Sequence, residues 1–82
     1  MILVDVYVPS VDNVYDFQLD EDSPIYLIVE EIGELIGQKE HSDIVGNIEN
    51  LLLCSYKDKR ILPKDSTLAL CGIQTGNSLI LV

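Results

Sequence analysis

The hydrophobic pattern changes its period near residue 24, which indicates that β-strands are followed by an α-helix. Apolar and polar residues alternate in residues 2–8 and again in 14–19, which is the period of β-strands. The turn residues of the segment PSVDN separate these runs, so together they predict a β-hairpin. An apolar stripe at helical spacing follows, made of Ile25, Ile28, Val29, Ile32, Leu35 and Ile36.

Both ends of the predicted helix have residues that are typical of helix ends. Ser23 is a favourable N-cap, and Pro24 fits the first helical position, where a missing N–H removes no hydrogen bond. Three acids, residues 20–22, precede the positive end of the helix dipole. Gly37 is expected to end the helix.

The second half of the chain predicts short strands separated by turns. Residues 51–56 and 60–62 form apolar runs around the turn KDK, and residues 78–82 predict a last strand. A tight helical turn is expected near Thr67. Residues 38–50 are polar and poorly periodic, which indicates a connecting loop with a helical turn after Ser42.

This order predicts an α+β fold in which a mixed sheet of four or five strands packs on one amphipathic helix. A chain of 82 residues has room for one domain, so residues 1–82 are expected to form a single unit. That size favours a binding module over an enzyme with a roomy cleft.

The charge is strongly negative and unevenly distributed. The net charge is −9, and residues 1–38 contain no Lys or Arg. Such a surface repels phosphates, which disfavours nucleic acid and anionic membranes as partners. The charge either keeps a small protein in solution or attracts a basic partner. The chain does not begin with a basic region followed by an uninterrupted apolar stretch, as a signal peptide would. It also has no apolar run of about 20 residues, so we expect a cytoplasmic protein without a membrane span.

The residues capable of chemistry do not combine into a site. Cys54 and Cys71 lie in apolar stretches and are expected to be buried, reduced thiols, unless the fold brings them together as a disulfide. His41 has no partners at metal-ligand or Cys–His spacing.

The acidic groups also predict no metal site. Asp20, Asp22 and Glu31 only loosely follow a calcium-loop spacing, and Ile25 occupies the position of its glycine. We therefore expect no metal, no cofactor and no catalytic residue, and a protein that is not an enzyme.

The second half resembles ubiquitin. The segment TLALCGIQTGNSLILV has a Thr-Leu turn, an Ile six residues later and a closing Ser-Leu-x-Leu-Val strand. A closer resemblance is to the YukD-like ubiquitin-related proteins of Gram-positive bacteria, which share a Pro at the helix start. The similar ending consists of Leu68, Cys71, Gly72, Ile73, Gly76 and Leu79. This resemblance implies a ubiquitin-like β-grasp fold and a cytoplasmic accessory of the type VII (ESX-type) secretion system that binds its components.

The chain differs from the ubiquitin pattern at the last strand. Ubiquitin and the sulfur carriers of this fold act through a flexible Gly-Gly tail, because their carboxylate must thread into an activating enzyme. Here residues 78–82 are predicted as a strand, so we expect no conjugation. The alternative is a modifier or sulfur-carrier protein activated at Val82.

A candidate protein-binding surface surrounds the second hairpin, where bases lie beside apolar residues. In ubiquitin this part of the sheet and the last strand form the main protein-binding face. A separate exposed leucine lies among acids on the outer side of the helix. The candidate contact residues are Tyr56, Lys57, Lys59, Arg60, Val82 and Leu27. An ordinary charged hairpin and a singly exposed leucine are the alternatives.

Overall fold

The computed structural model describes residues 1–40 and 50–82, which form a hairpin, a helix and three further strands. A short 3₁₀ turn at Pro9–Val11 joins the first two strands. In chain order the elements are β1 (Ile2–Val8), β2 (Asn13–Leu19), α1 (Ile25–Glu40), β3 (Leu53–Ser55), β4 (Arg60–Ile61) and β5 (Ser78–Leu81). The predicted order of strands and helix is confirmed.

The described strands form one mixed sheet in the order β2-β1-β5-β3-β4. The β1 strand pairs antiparallel with β2 and parallel with β5, while β3 pairs antiparallel with both β5 and β4. The last strand therefore lies at the centre of the sheet, beside the first. This is the α+β arrangement expected from the pattern, with five strands.

One face of the sheet and one side of α1 form the core. Alternation in β1 places Val4, Val6 and Val8 in the interior, each at most 2% exposed. The helical stripe meets them with Ile25 and Ile32, both fully buried. Full burial of each such aliphatic side chain contributes about 1.5–3 kcal/mol, so the two periodicities together define the core.

The start of α1 is fixed by a distant loop rather than by the predicted cap. The Ile25 and Tyr26 N–H groups donate to the carbonyls of Ser66 (2.9 Å) and Lys64 (3.1 Å). These are helix N–H groups that no intrahelical carbonyl can satisfy. The hydroxyl of Ser23 donates instead to Asp20 Oδ2, at 3.4 Å.

The end of α1 differs from its prediction by three residues, because the helix continues past Gly37 to Glu40. Lys39 in this added turn lies over the Tyr15 ring, 5.3 Å from its centroid, and a cation near a helix C-terminus is favourable. The predicted stripe also included Leu35, which is 37% exposed and lies at its edge.

The helical turn expected near Thr67 is a short series of overlapping hydrogen-bonded turns over residues 67–73. The Cys71 N–H donates to the Thr67 carbonyl at 3.1 Å, and the chain then leaves through Gly72 in the left-handed region. His41 and the helical turn predicted after Ser42 lie outside the described residues. No helix in the described part has the length and apolar character that crossing a bilayer requires.

The backbone of Val82 continues the pairing of the sheet. Its N–H donates to the Leu52 carbonyl at 2.9 Å, and its carbonyl accepts from the Leu52 N–H at 2.7 Å. Residues 52 and 82 thus extend the β3–β5 ladder.

We expect Ile32→Ala to lower the free energy of unfolding by about 3 kcal/mol, because it leaves a cavity in the core. The matched control is Leu27→Ala on the same helix, where the side chain is 46% exposed, and its change should stay within about 0.5 kcal/mol. Urea denaturation measures both, and equal losses would contradict the assigned orientation of α1.

Candidate protein-interaction surface

The sheet face opposite the core, here called the outer face, carries the candidate site. Alternation in β1 turns Leu3, Asp5 and Tyr7 outward. In β5, Ser78 and Ile80 are less buried than the core residues Leu79 and Leu81 between and beside them.

Cross-strand register arranges these outward residues in two rows. The apolar row crosses all five strands through Val14, Tyr7, Ile80, Cys54 and Ile61. The polar row contains Asp16, Asp5 and Ser78, and the Tyr56 N–H donates to the Ser78 carbonyl at its end. Neighbouring strands lie about 4.8 Å apart, so the rows form one continuous surface.

Two grooves on the outer face share Tyr56 and Ile80, which we call the Tyr56–Ile80 ridge. The first groove has a volume of about 260 Å³ and contains one carboxylate, that of Asp5. The second has a volume of about 340 Å³, and its charged residues are Lys59 and Arg60. The ridge therefore separates an acidic groove from a basic one.

Four of the candidate contact residues lie on or beside this surface, namely Tyr56, Lys59, Arg60 and Val82. Tyr56 is 62% exposed on the ridge, Lys59 lines the basic groove, and Val82 is 51% exposed one row beyond Ile80. Lys57 is exposed in the turn between β3 and β4. Tyr56 and the two lysines lie near the Ser78 end of β5, whereas Val82 pairs with Leu52 at the opposite end of that strand.

The turn that carries the lysines is held by Ser55. Its buried hydroxyl accepts from the Asp58 N–H at 3.3 Å and donates to Asp58 Oδ2 at 3.4 Å. Lys59 follows with φ +52°, in the left-handed region. This local bonding fixes the direction in which the turn displays its side chains.

Arg60 has an internal bond that the sequence did not indicate. Its guanidinium donates to the Cys71 carbonyl at 2.6 Å and lies 3.8 Å from Asp58 Oδ2. The side chain thus ties the sheet edge to the turn after Thr67. Its position at the rim of the basic groove depends on that bond.

Leu27 belongs to a different surface. It lies on α1, whose buried side packs against the inner face of the sheet, and it points away from that core. Leu27 and Tyr56 are therefore on opposite sides of the molecule and cannot share one small contact.

The cysteines occupy different environments, and neither is disulfide-bonded. Cys71 is buried in the core with its Sγ 3.6 Å from Ser66 Oγ, as expected. Cys54, also expected to be buried, is only half-buried because it lies in the outward apolar row. Burial raises the pKa of the Cys54 thiol, which disfavours the reactive thiolate.

Asp5 and Asp16 form a like-charge pair across β1 and β2. A side-chain hydrogen bond with Asp16, then desolvation, then the charge of Asp16 raise the pKa of Asp5. Like charges that face each other across strands destabilise a sheet.

The acids before α1 form a separate cluster. Carboxylate oxygens of Asp20, Glu21 and Asp22 lie within 4.8 Å of one another. Asp20 accepts hydrogen bonds from the Asp22 N–H (3.0 Å) and from the Ser23 hydroxyl, so a local turn accounts for its position. Glu31 of the loosely matched calcium loop is not a member of this cluster.

We expect Asp5→Asn to raise the melting temperature at pH 7, because it removes the repulsion by Asp16. The folded state binds the Asp5 proton more tightly than the unfolded state, so the wild type regains this stability as pH falls through the raised pKa. The gain should therefore shrink between pH 7 and about pH 3.5, near the ordinary range of an Asp pKa. A lower melting temperature of Asp5→Asn at pH 7 would contradict the repulsion.

We expect Arg60→Ala to lower the free energy of unfolding by about 1 kcal/mol, since the Cys71 carbonyl loses its charged donor. The matched control, Lys57→Ala, removes an exposed base from the same turn and should change it by less than about 0.5 kcal/mol. Urea denaturation of both variants is the measurement, and equal stabilities would show that the Arg60 bond contributes nothing.

Comparison with known proteins supports the fold more strongly than any single family. No protein-family model matches the chain, and no curated protein sequence matches it. The N-terminal ubiquitin-like domain of the 4931431F19Rik protein superposes with a TM-score of 0.73 and 25% identity, over 99% of this chain and 72% of that one.

Two further solved structures show the same arrangement. A ubiquitin-like domain from Arabidopsis thaliana gives a TM-score of 0.72 at 17% identity, over 99% of this chain and 74% of that one. A designed protein based on human erythrocytic ubiquitin gives 0.74 at 20% identity, over 100% and 90% of the two chains. The chain therefore has the ubiquitin-like β-grasp fold.

Proposed function

We propose that this chain is a non-catalytic ubiquitin-like module, acting as a single domain over residues 1–82, that binds a protein partner through its outer face. The Tyr56–Ile80 ridge between grooves of opposite charge is the observation that carries this proposal. Exposed tyrosines flanked by apolar and charged groups are typical of the residues that contribute most to binding.

The apolar row favours a protein as the partner. Val14 and Ile61, at the two ends of this row, are each more than half exposed, as is Tyr56 beside it, and the strand register joins the row into one surface. Contiguous exposed apolar groups rimmed by polar ones mark interaction sites. Covering them removes apolar surface from water, and the charged grooves on either side orient the partner.

The grooves fit binding better than catalysis. A cysteine nucleophile needs a lowered pKa, whereas burial raises that of Cys54 in the basic groove. The Asp5 carboxylate lies on an exposed sheet surface, without the enclosed apolar site that prepares a catalytic acid. We therefore assign no reaction to the outer face.

The pathway in this proposal follows from the YukD-like resemblance. The residues that carry it, between Leu68 and Leu79, include the turn in which the Ala69 N–H donates to the Glu21 carbonyl at 3.0 Å, and the first residues of β5. We infer a cytoplasmic accessory or regulator of a Gram-positive type VII (ESX-type) secretion system. Its partner is then a component of that system. A related proposal is that the chain corresponds to the ubiquitin-like domain that some such systems fuse to a membrane component, and that it acts in trans.

The competing function is that of a modifier or sulfur carrier activated at Val82. That reaction needs a mobile carboxylate, whereas the Val82 backbone is paired with Leu52 in both directions. This pairing favours the non-conjugated module. Intact mass of the protein from its native cells separates the two functions, because a discrete adduct at Val82 would establish the carrier.

We expect affinity capture with the wild-type chain to recover a type VII secretion component, and Tyr56→Ala to weaken that binding at least about tenfold. Lys59→Glu should also weaken it by reversing a charge in the basic groove. Leu27→Ala on the helix side is the matched control and should bind as the wild type does.

Binding constants of the recovered component for all four chains are the decisive values. If Leu27→Ala alone weakened the complex, the helix rather than the outer face would be the contact. If no secretion component were recovered at low salt, the proposed pathway would be wrong.

A further inference from the structure

The acidic groove on the outer face combines aromatic walls with a carboxylate. Its lining includes Tyr7, Val14, Tyr56 and Ile80, and Asp5 is its only charged residue. A volume of about 260 Å³ is large enough for one long side chain but small for a whole folded segment. The groove therefore has the dimensions and the chemistry of a site for a single residue of a partner.

Backbone pairing and one side-chain bond hold these walls in place. The Asp5 N–H donates to the Asn77 carbonyl at 3.2 Å, and the Tyr56 N–H donates to the Ser78 carbonyl at 3.1 Å. The Tyr7 hydroxyl donates to Asp12 Oδ1 at 3.2 Å. A site that is already ordered loses less conformational entropy when it binds.

No basic residue on the neighbouring strands β1, β2 and β5 compensates the negative charges beside the groove. Asp5 faces Asp16 directly across the β1–β2 ladder. The described strands nearest to Asp5, namely β1, β2 and β5, contain no Lys or Arg, and the nearby bases lie in the β3–β4 turn and on β4. A positive group placed here would relieve the repulsion within the pair.

We propose that the acidic groove binds the side chain of an arginine or lysine supplied by the protein partner, with the cationic head at Asp5 and the methylene stem against Tyr7 and Ile80. This inference rests on the proposed function, since it names the chemistry of the partner at the same face. It also explains why a destabilising carboxylate pair occurs beside an aromatic groove.

Each part of a basic side chain has a counterpart here. The carboxylate of Asp5 accepts charge-assisted hydrogen bonds, and Asp16 adds a second negative charge beside it. The tyrosine rings offer a face to the cation and apolar contact to the stem. A divalent metal is less well matched, because calcium takes 6–8 oxygen ligands and this groove holds one carboxylate.

The test uses the isotope-labelled chain, titrated by NMR with N-acetyl-arginine amide and with its neutral isostere N-acetyl-citrulline amide. We expect the arginine derivative to shift the amide signals of Asp5, Tyr7 and Tyr56 and to bind about three to ten times more tightly than the citrulline derivative. Equal affinities of the two derivatives would overturn the proposal.

Two charge-matched variants assign the effect to the groove. Asp5→Asn should reduce the affinity for the arginine derivative about three- to tenfold, whereas Glu30→Gln, which removes an exposed carboxylate from α1, should leave it unchanged. The Tyr56→Ala variant removes an uncharged side chain from the groove wall and should weaken binding of both derivatives. Equal effects of Asp5→Asn and Glu30→Gln would show that only net charge matters and would overturn the site.

A parallel titration with calcium chloride covers the alternative cation. Calcium-dependent shifts at Asp5 without any response to the arginine derivative would overturn the proposal. Failure of the arginine-site proposal can be distinguished from failure of the proposed function. Partner binding that still depends on Tyr56 but not on Asp5 would leave the interaction module intact. Arginine binding without any captured partner would instead support the groove and refute the proposed pathway.

Discussion

The parallel pairing of β1 with β5 holds the two halves of the sheet together. It joins residues at the two ends of the chain, with the Gly76 N–H bonded to the Leu3 carbonyl at 2.9 Å and the Asp5 N–H to the Asn77 carbonyl at 3.2 Å. Because β3 pairs with the other edge of β5, this one ladder connects the first hairpin to the second. It brings Tyr7 beside Ile80, so the outer-face row and both grooves depend on it.

The two faces of the sheet are built for different purposes. The inner face contains tightly buried aliphatic side chains and supplies most of the stability through apolar burial. The outer face includes features that reduce stability, namely the Asp5–Asp16 pair and a left-handed Lys59. Such local costs are characteristic of sites where binding, rather than folding, determines the residue. This contrast links the packing of the fold to its proposed role.

Much of the fold could be predicted from the sequence, because alternating and helical periods identify the strands and α1 directly. The helix end at Glu40 and the half-buried Cys54 could not, since Lys39 and the outward row act through tertiary contacts. Alternation in β1 did indicate that Asp5 and Tyr7 point outward. Their grouping with Ile80 and Tyr56 depends on strand register, which a single sequence does not determine. The bond from Arg60 to Cys71 likewise required the folded geometry.

We infer that a partner covers the Tyr56–Ile80 ridge rather than the exposed side of α1. Photo-crosslinking in native cells tests it most directly, with p-benzoylphenylalanine introduced at position 56 in one chain and at position 27 in another. We expect a discrete adduct with a secretion component from position 56 and none from position 27. An adduct formed only from position 27 would contradict it.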